Sequence, residues 1–78
     1  MEFREWLMKE KQYSDRASRD VQSRLKRAIS LSGEKDITPE ILTKIEANTE
    51  FKGLSMSVKS QIRRAVKFYQ EYIHLNND

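Results

Sequence analysis

Residues 54–72 read LSMSVKSQIRRAVKFYQEY, and no other stretch constrains this chain as strongly. At about 100° per residue, Val58, Ile62, Ala65, Val66, Tyr69 and Ile73 fall on a single stripe, the mark of an amphipathic helix with one buried face. Lys59, Arg63 and Lys67 recur at i, i+4 on another side, with Arg64 beside them. No Asp or Glu falls within residues 55–70 to neutralise them. A helix that buries one face and shows water a row of cations is built to meet something negative. A phosphate backbone is the best candidate.

Seventy-eight residues make one small domain with room for a modest core and no roomy catalytic cleft. Cysteine is absent, so a disulfide framework, a thiol nucleophile and a Cys-based zinc site are excluded. The single histidine, His74, leaves no second imidazole for a metal site or a triad. No cofactor or metal is implied. The apolar runs are too short to span a membrane. The start, MEFREWLMKEK, carries acids among its apolar positions and does not read as a signal peptide. Charged residues are 35% and hydrophobic ones 37%, enough to fold, and the net charge of +3 says less than its distribution.

Gly and Pro are scarce and β-branched residues do not alternate, so the pattern is helical throughout. A first helix is expected over residues 2–11, with Phe3, Trp6 and Leu7 inward. Tyr13-Ser14 breaks it. Ser14 is a suitable N-cap for a second helix over residues 15–31, with Asp15 in its first turn. Ala17, Val21, Leu25, Ala28 and Ile29 give its apolar stripe, and Gly33 stands where a helix end wants positive φ. Thr38-Pro39-Glu40 is a start signal for a short third helix over residues 39–47, with Ile41 or Leu42 and Ile45 inward. Residues 48–54 read as a connection plugged by Phe51 and Leu54. Ser55 or Ser57 then caps a fourth helix that runs to about His74, and Asn76-Asn77-Asp78 should fray.

The expected fold class is therefore all-α, a compact four-helix bundle. Its centre would hold Trp6, Val21, Leu25, Ile29, Leu42, Ile45, Phe51, Ile62, Val66 and Tyr69.

The second helix repeats the basic design of the last. Arg16, Arg19, Lys26 and Arg27 lie away from its apolar stripe, Arg24 lies near the boundary, and Asp20 is spaced to pair with Arg16 or Arg24. Lys59, Arg63, Arg64 and Lys67 have no such local partner, and a purely structural surface usually intersperses signs. Basic stripes are often only solvated faces. Against that stand the abundance of Arg, which forks onto phosphate oxygens and base edges, and Ser14, Ser18, Ser55, Ser57 and Ser60 at helix starts or beside the cations. Trp6, Tyr69 and Tyr72 read as core or rim, Tyr13 as a seal on the first turn, and Glu2, Glu5 and Glu10 as a solvated face. His74 suits the dipole of a last turn.

The order of these signals resembles a known family. Phe3, Trp6 and Leu7 form an F-x-x-W-L pattern, followed by Lys11-Gln12-Tyr13-Ser14, a long helix, a Thr-Pro start, Leu54-Ser55-Met56-Ser57-Val58 and a final helix ending F-Y-x-E-Y-I. This is similar to the N-terminal core-binding, SAM-like domain of tyrosine recombinases (phage integrases), over essentially the whole chain. Val58 stands where the family often has Thr, and Gln12 where it often has Gly.

The resemblance implies a SAM-like bundle that forms one half of a clamp around double-stranded DNA. The start of the second helix and the last helix would touch phosphates and the major groove. Carried onto this chain, the DNA-binding residues are Ser14, Arg16, Ser18, Arg19, Ser57, Lys59, Ser60, Arg63, Arg64 and Lys67. Catalysis in the family lies in a separate C-terminal domain, and none of Tyr13, Tyr69 or Tyr72 has a neighbouring set that would make it a nucleophile. The chain would be a non-catalytic domain of a longer recombinase or a stand-alone relative, cytoplasmic, bacterial or phage-derived, and self-associating only on DNA. A SAM-like protein-interaction module or accessory protein, its cations meeting an acidic partner, is the alternative.

Overall fold

The structure, a computed structural model, describes residues 2–76 and is all-α. Five helices follow one another: α1 (Phe3–Glu10), α2 (Asp15–Ser32), α3 (Ile41–Ala47), α4 (Thr49–Lys52) and α5 (Met56–Asn76). Each long helix begins at a side-chain cap. Ser14 Oγ accepts from the Ala17 N–H at 3.1 Å, and Ser55 Oγ accepts from the Val58 N–H at 3.2 Å. Gly33 ends α2 at φ 75°, a left-handed conformation that a Cβ would strain. Of the Asn76-Asn77-Asp78 end expected to fray, Asn76 belongs to α5, and Asn77 and Asp78 lie outside the described residues.

The two long helices pack against each other. α1 covers one part of the pair, touching both, while α3 packs on α2 and on α4. The shortest dimension of the domain is 16 Å between Cα atoms, which admits two layers of helices and no more. The core runs from Phe3, Trp6 and Leu7 through Val21, Leu25, Ala28 and Leu31 to Ile41, Ile45 and Phe51, closed by Ile62, Ala65 and Val66 of α5. An aromatic group fixes α1 to the far half of α5: Phe3 meets Tyr69 edge-on at 5.0 Å and Tyr72 at 5.4 Å, and Trp6 meets Tyr72 at 5.8 Å. Tyr13 seals the first turn, its ring 5.8 Å from that of Phe68.

Three expectations are corrected. Residues 48–54 are not a plain connection, because Thr49–Lys52 form a fifth helix of one turn. Asn48 makes that turn possible: its Oδ1 accepts from the Phe51 N–H and its Nδ2 donates to the Leu31 carbonyl, so one side chain caps α4 and closes the end of α2. The Thr38-Pro39-Glu40 signal opens a turn rather than the α-helix, which starts at Ile41. There the Thr38 carbonyl is taken by the Ile41 N–H and by Gln70 Nε2 of α5, while the Thr38 hydroxyl caps nothing. Finally, Ile29, Leu42 and Tyr69 are half-buried against the core rather than inside it. In α3 the choice between Ile41 and Leu42 goes to Ile41, which is wholly buried.

Gln12 adopts φ 56°, the left-handed region, as the chain turns out of α1 and the Tyr13 N–H donates back to the Leu7 carbonyl. A non-glycine residue there costs about 1–2 kcal/mol, while glycine returns part of that through its freer unfolded chain. Gln12→Gly is therefore expected to stabilise the domain by about 0.5–1 kcal/mol. Urea unfolding of the two proteins measures this, and a destabilised variant contradicts it.

Candidate nucleic-acid interface

α5 turns its apolar stripe to α2 and carries its cations off that stripe, with Arg64 at the border with α2. Near its start, Lys59 and Arg63 lie over the ring of buried Phe51, at 5.9 and 5.4 Å from its centre. The ring supports both stems from below. Arg63 is also tied to α3: its Nε donates to Glu46 Oε1 at 2.7 Å and its Nη2 lies 2.6 Å from the same oxygen. The expectation of a wholly unpaired row on this helix is therefore corrected at Arg63. Its partner lies 17 residues away, where no local spacing reveals it.

Beyond Arg63 the surface opens into a shallow groove of about 320 Å³ lined by Ser60, Arg63, Arg64, Lys67 and Phe68. Every polar side chain here is able to donate. On the other side of Arg64 lies a second groove of about 250 Å³, between α2 and α5, lined by Tyr13, Ala17, Asp20, Val21, Arg24, Gln61 and Arg64. Arg64 borders both. Arg24, Arg64 and Lys67 make no ion pair among the described residues.

The residues singled out from sequence thus divide. Ser60, Arg63, Arg64 and Lys67 come together, and Lys59 lies alongside on Phe51. Ser57 is exposed at the start of α5. Ser14 is exposed, but its hydroxyl oxygen is already occupied as the α2 cap. Arg16 and Arg19 are exposed on α2 and line neither groove. Arg19 turns to Asp15 at 3.1 Å, and Asp15 also lies 3.8 Å from Arg4 of α1. Asp20, expected to pair with Arg16 or Arg24, pairs with neither.

Ser18 leaves the set. It is wholly buried, and its hydroxyl donates to the Asp15 carbonyl at 2.8 Å. The signal was present: Ser18 stands three residues before Val21 and seven before Leu25, on the same inward stripe. Arg24 and Gln61 are the additions. Each lies at the edge of its helix's apolar stripe, and only the packing of α2 on α5 turns the two edges into one groove.

The tyrosines take structural positions. Burial pushes the Tyr69 phenol above the ordinary tyrosine value, with the Asp36 carboxylate and Tyr72 acting in the same direction. That is opposite to what activates a phenol as a nucleophile. Among the described residues no helix is long and apolar enough to cross a membrane. No protein-family model matches the chain, and no curated protein or solved structure matches it either.

Proposed function

We propose that this chain is a duplex-DNA-binding domain of the core-binding kind found in tyrosine recombinases, holding the double helix through α5 and the adjoining flank of α2. The observation that carries this reading is the groove of Ser60, Arg63, Arg64 and Lys67, where every polar side chain can donate and none is acidic, with Arg24 lining the groove on the other side of Arg64. Phosphate oxygens accept hydrogen bonds and carry negative charge. Hydroxyl, guanidinium and ammonium groups supply the matching donors, and Arg adds a planar fork that fits two oxygens at once. Phe51 lies under Lys59 and Arg63 and holds their stems against the domain, which lowers the entropy lost when they meet a ligand. The resemblance described from sequence points to α5 as well, and to a partner domain that would supply catalysis, while the residues it names at the start of α2 line neither groove.

A salt titration tests the proposal. With about four to six phosphate contacts, the logarithm of the affinity for a 20-base-pair duplex should fall against the logarithm of salt with a slope of about −4 to −5. Fluorescence anisotropy from low to physiological salt measures it. A flat dependence, or no duplex binding at low salt, overturns the assignment.

A further inference from the structure

We propose that Glu46 occupies the place of a phosphate at Arg63, and that a bound duplex displaces it. This rests on the duplex-binding reading above and adds what controls one cation of that surface.

Three cations line the groove beside Phe68, and they differ. Arg64 and Lys67 make no ion pair among the described residues, whereas Arg63 is taken by Glu46 of α3. The Arg63 Nε donates to Glu46 Oε1 at 2.7 Å, and Nη2 lies 2.6 Å from the same oxygen. Nε and Nη2 form one edge of the guanidinium fork, and that edge fits phosphate oxygens as well as carboxylate ones. A phosphate and Glu46 therefore compete for the same donors.

The carboxylate does not serve its own helix. Glu46 lies in the last turn of α3, where the helix dipole disfavours a negative charge. Nor does Arg63 need it for its place, because the guanidinium already rests over the Phe51 ring at 5.4 Å. The side chains of Arg63 and Glu46 are 39% and 50% exposed, so the pair forms in water and adds little to stability. Such a pair holds Arg63 while the surface is empty and yields to a stronger anion. Duplex phosphates are that anion, since release of their condensed counterions drives contact with cations. Once displaced, Glu46 keeps its charge beside the bound backbone and takes back about one counterion. The Arg63 contact then adds little net affinity, and removal of the carboxylate charge should restore it.

The test uses the full chain, a 20-base-pair duplex and fluorescence anisotropy. Glu46→Gln keeps the shape of the side chain and removes its charge. It should bind about eightfold more tightly at 0.1 M salt, with a salt slope steeper by about 0.9. The same change is then made in Arg63→Ala and in Lys67→Ala. Those two backgrounds carry equal net charge, so a general charge effect is the same in both. In Lys67→Ala the gain should remain about eightfold. In Arg63→Ala it should fall to about twofold, because no held guanidinium is left to release. Glu46 is exposed, so its variant keeps its fold, which circular dichroism checks. Equal gains in the two backgrounds overturn the proposal and leave only long-range repulsion. Weaker binding by Glu46→Gln overturns it too, and makes Glu46 a residue that positions Arg63 for the backbone. Salt-dependent duplex binding that Glu46→Gln leaves unchanged overturns the displacement and leaves the duplex-binding assignment standing. Absence of salt-dependent duplex binding overturns both.

Discussion

Phe51→Ala is expected to remove most of the stability of this domain. The ring is 2% exposed and belongs to the one-turn helix α4, which has little of its own to hold it in place. Phenylalanine-to-alanine changes at such sites cost about 3–5 kcal/mol, and a chain of this length has only about 4–12 kcal/mol in total. The melting temperature should fall by about 15–30 °C, read by circular dichroism. Phe51→Leu, which keeps most of the apolar volume, should cost much less. The ring also underlies Lys59 and Arg63, so its loss should loosen the cations before the domain unfolds. A shift below about 5 °C for Phe51→Ala would mean that α4 is dispensable to the core.

Charge reversal at Arg64 and Lys67 together is the largest functional effect expected. Both side chains are exposed, neither makes an ion pair among the described residues, and both line the groove that they share with Ser60 and Arg63. Each lost phosphate contact reduces the salt slope by about 0.9, or nearly tenfold in affinity at 0.1 M salt, and reversal adds repulsion to the loss. Arg64→Glu with Lys67→Glu should weaken duplex binding about 10²- to 10³-fold at 0.1 M salt and flatten its salt dependence. Stability should change little, since surface substitutions without partners lie within about 0.5 kcal/mol. Retention of wild-type affinity by a folded double variant would move the contact surface away from α5. Arg16→Ala with Arg19→Ala is the informative comparison, because those two cations line neither groove.

The elements read correctly from sequence were those whose signals are local. The ends of α2 and the start of α5 depend on Ser14, Gly33 and Ser55, each acting within three or four residues of itself. The signal at Thr38-Pro39 opened a turn instead: the Thr38 hydroxyl caps nothing, and its carbonyl accepts from Gln70 of α5, 32 residues away, where no local spacing reveals it. Helix α4 was missed for a similar reason. Four residues carry no periodicity, and what holds them is an Asn48 side chain that also bonds to the end of α2. Ser18 was misassigned although its register was legible, because a serine among arginines suggests a phosphate contact while its spacing from Val21 places it inside.

By itself the amino-acid sequence determined that this chain is helical, which faces of its long helices are apolar, and that its cations gather on α2 and α5. Periodicity and capping act along a single helix, so they can be read along a single helix. Tertiary structure decided which cations are free to act. Glu46 reaches Arg63 from another helix, and the packing of α2 against α5 brings Asp20, Arg24, Gln61 and Arg64 to one groove. Those outcomes depend on how helices cross, and a crossing is set by the fit of side chains from distant parts of the chain.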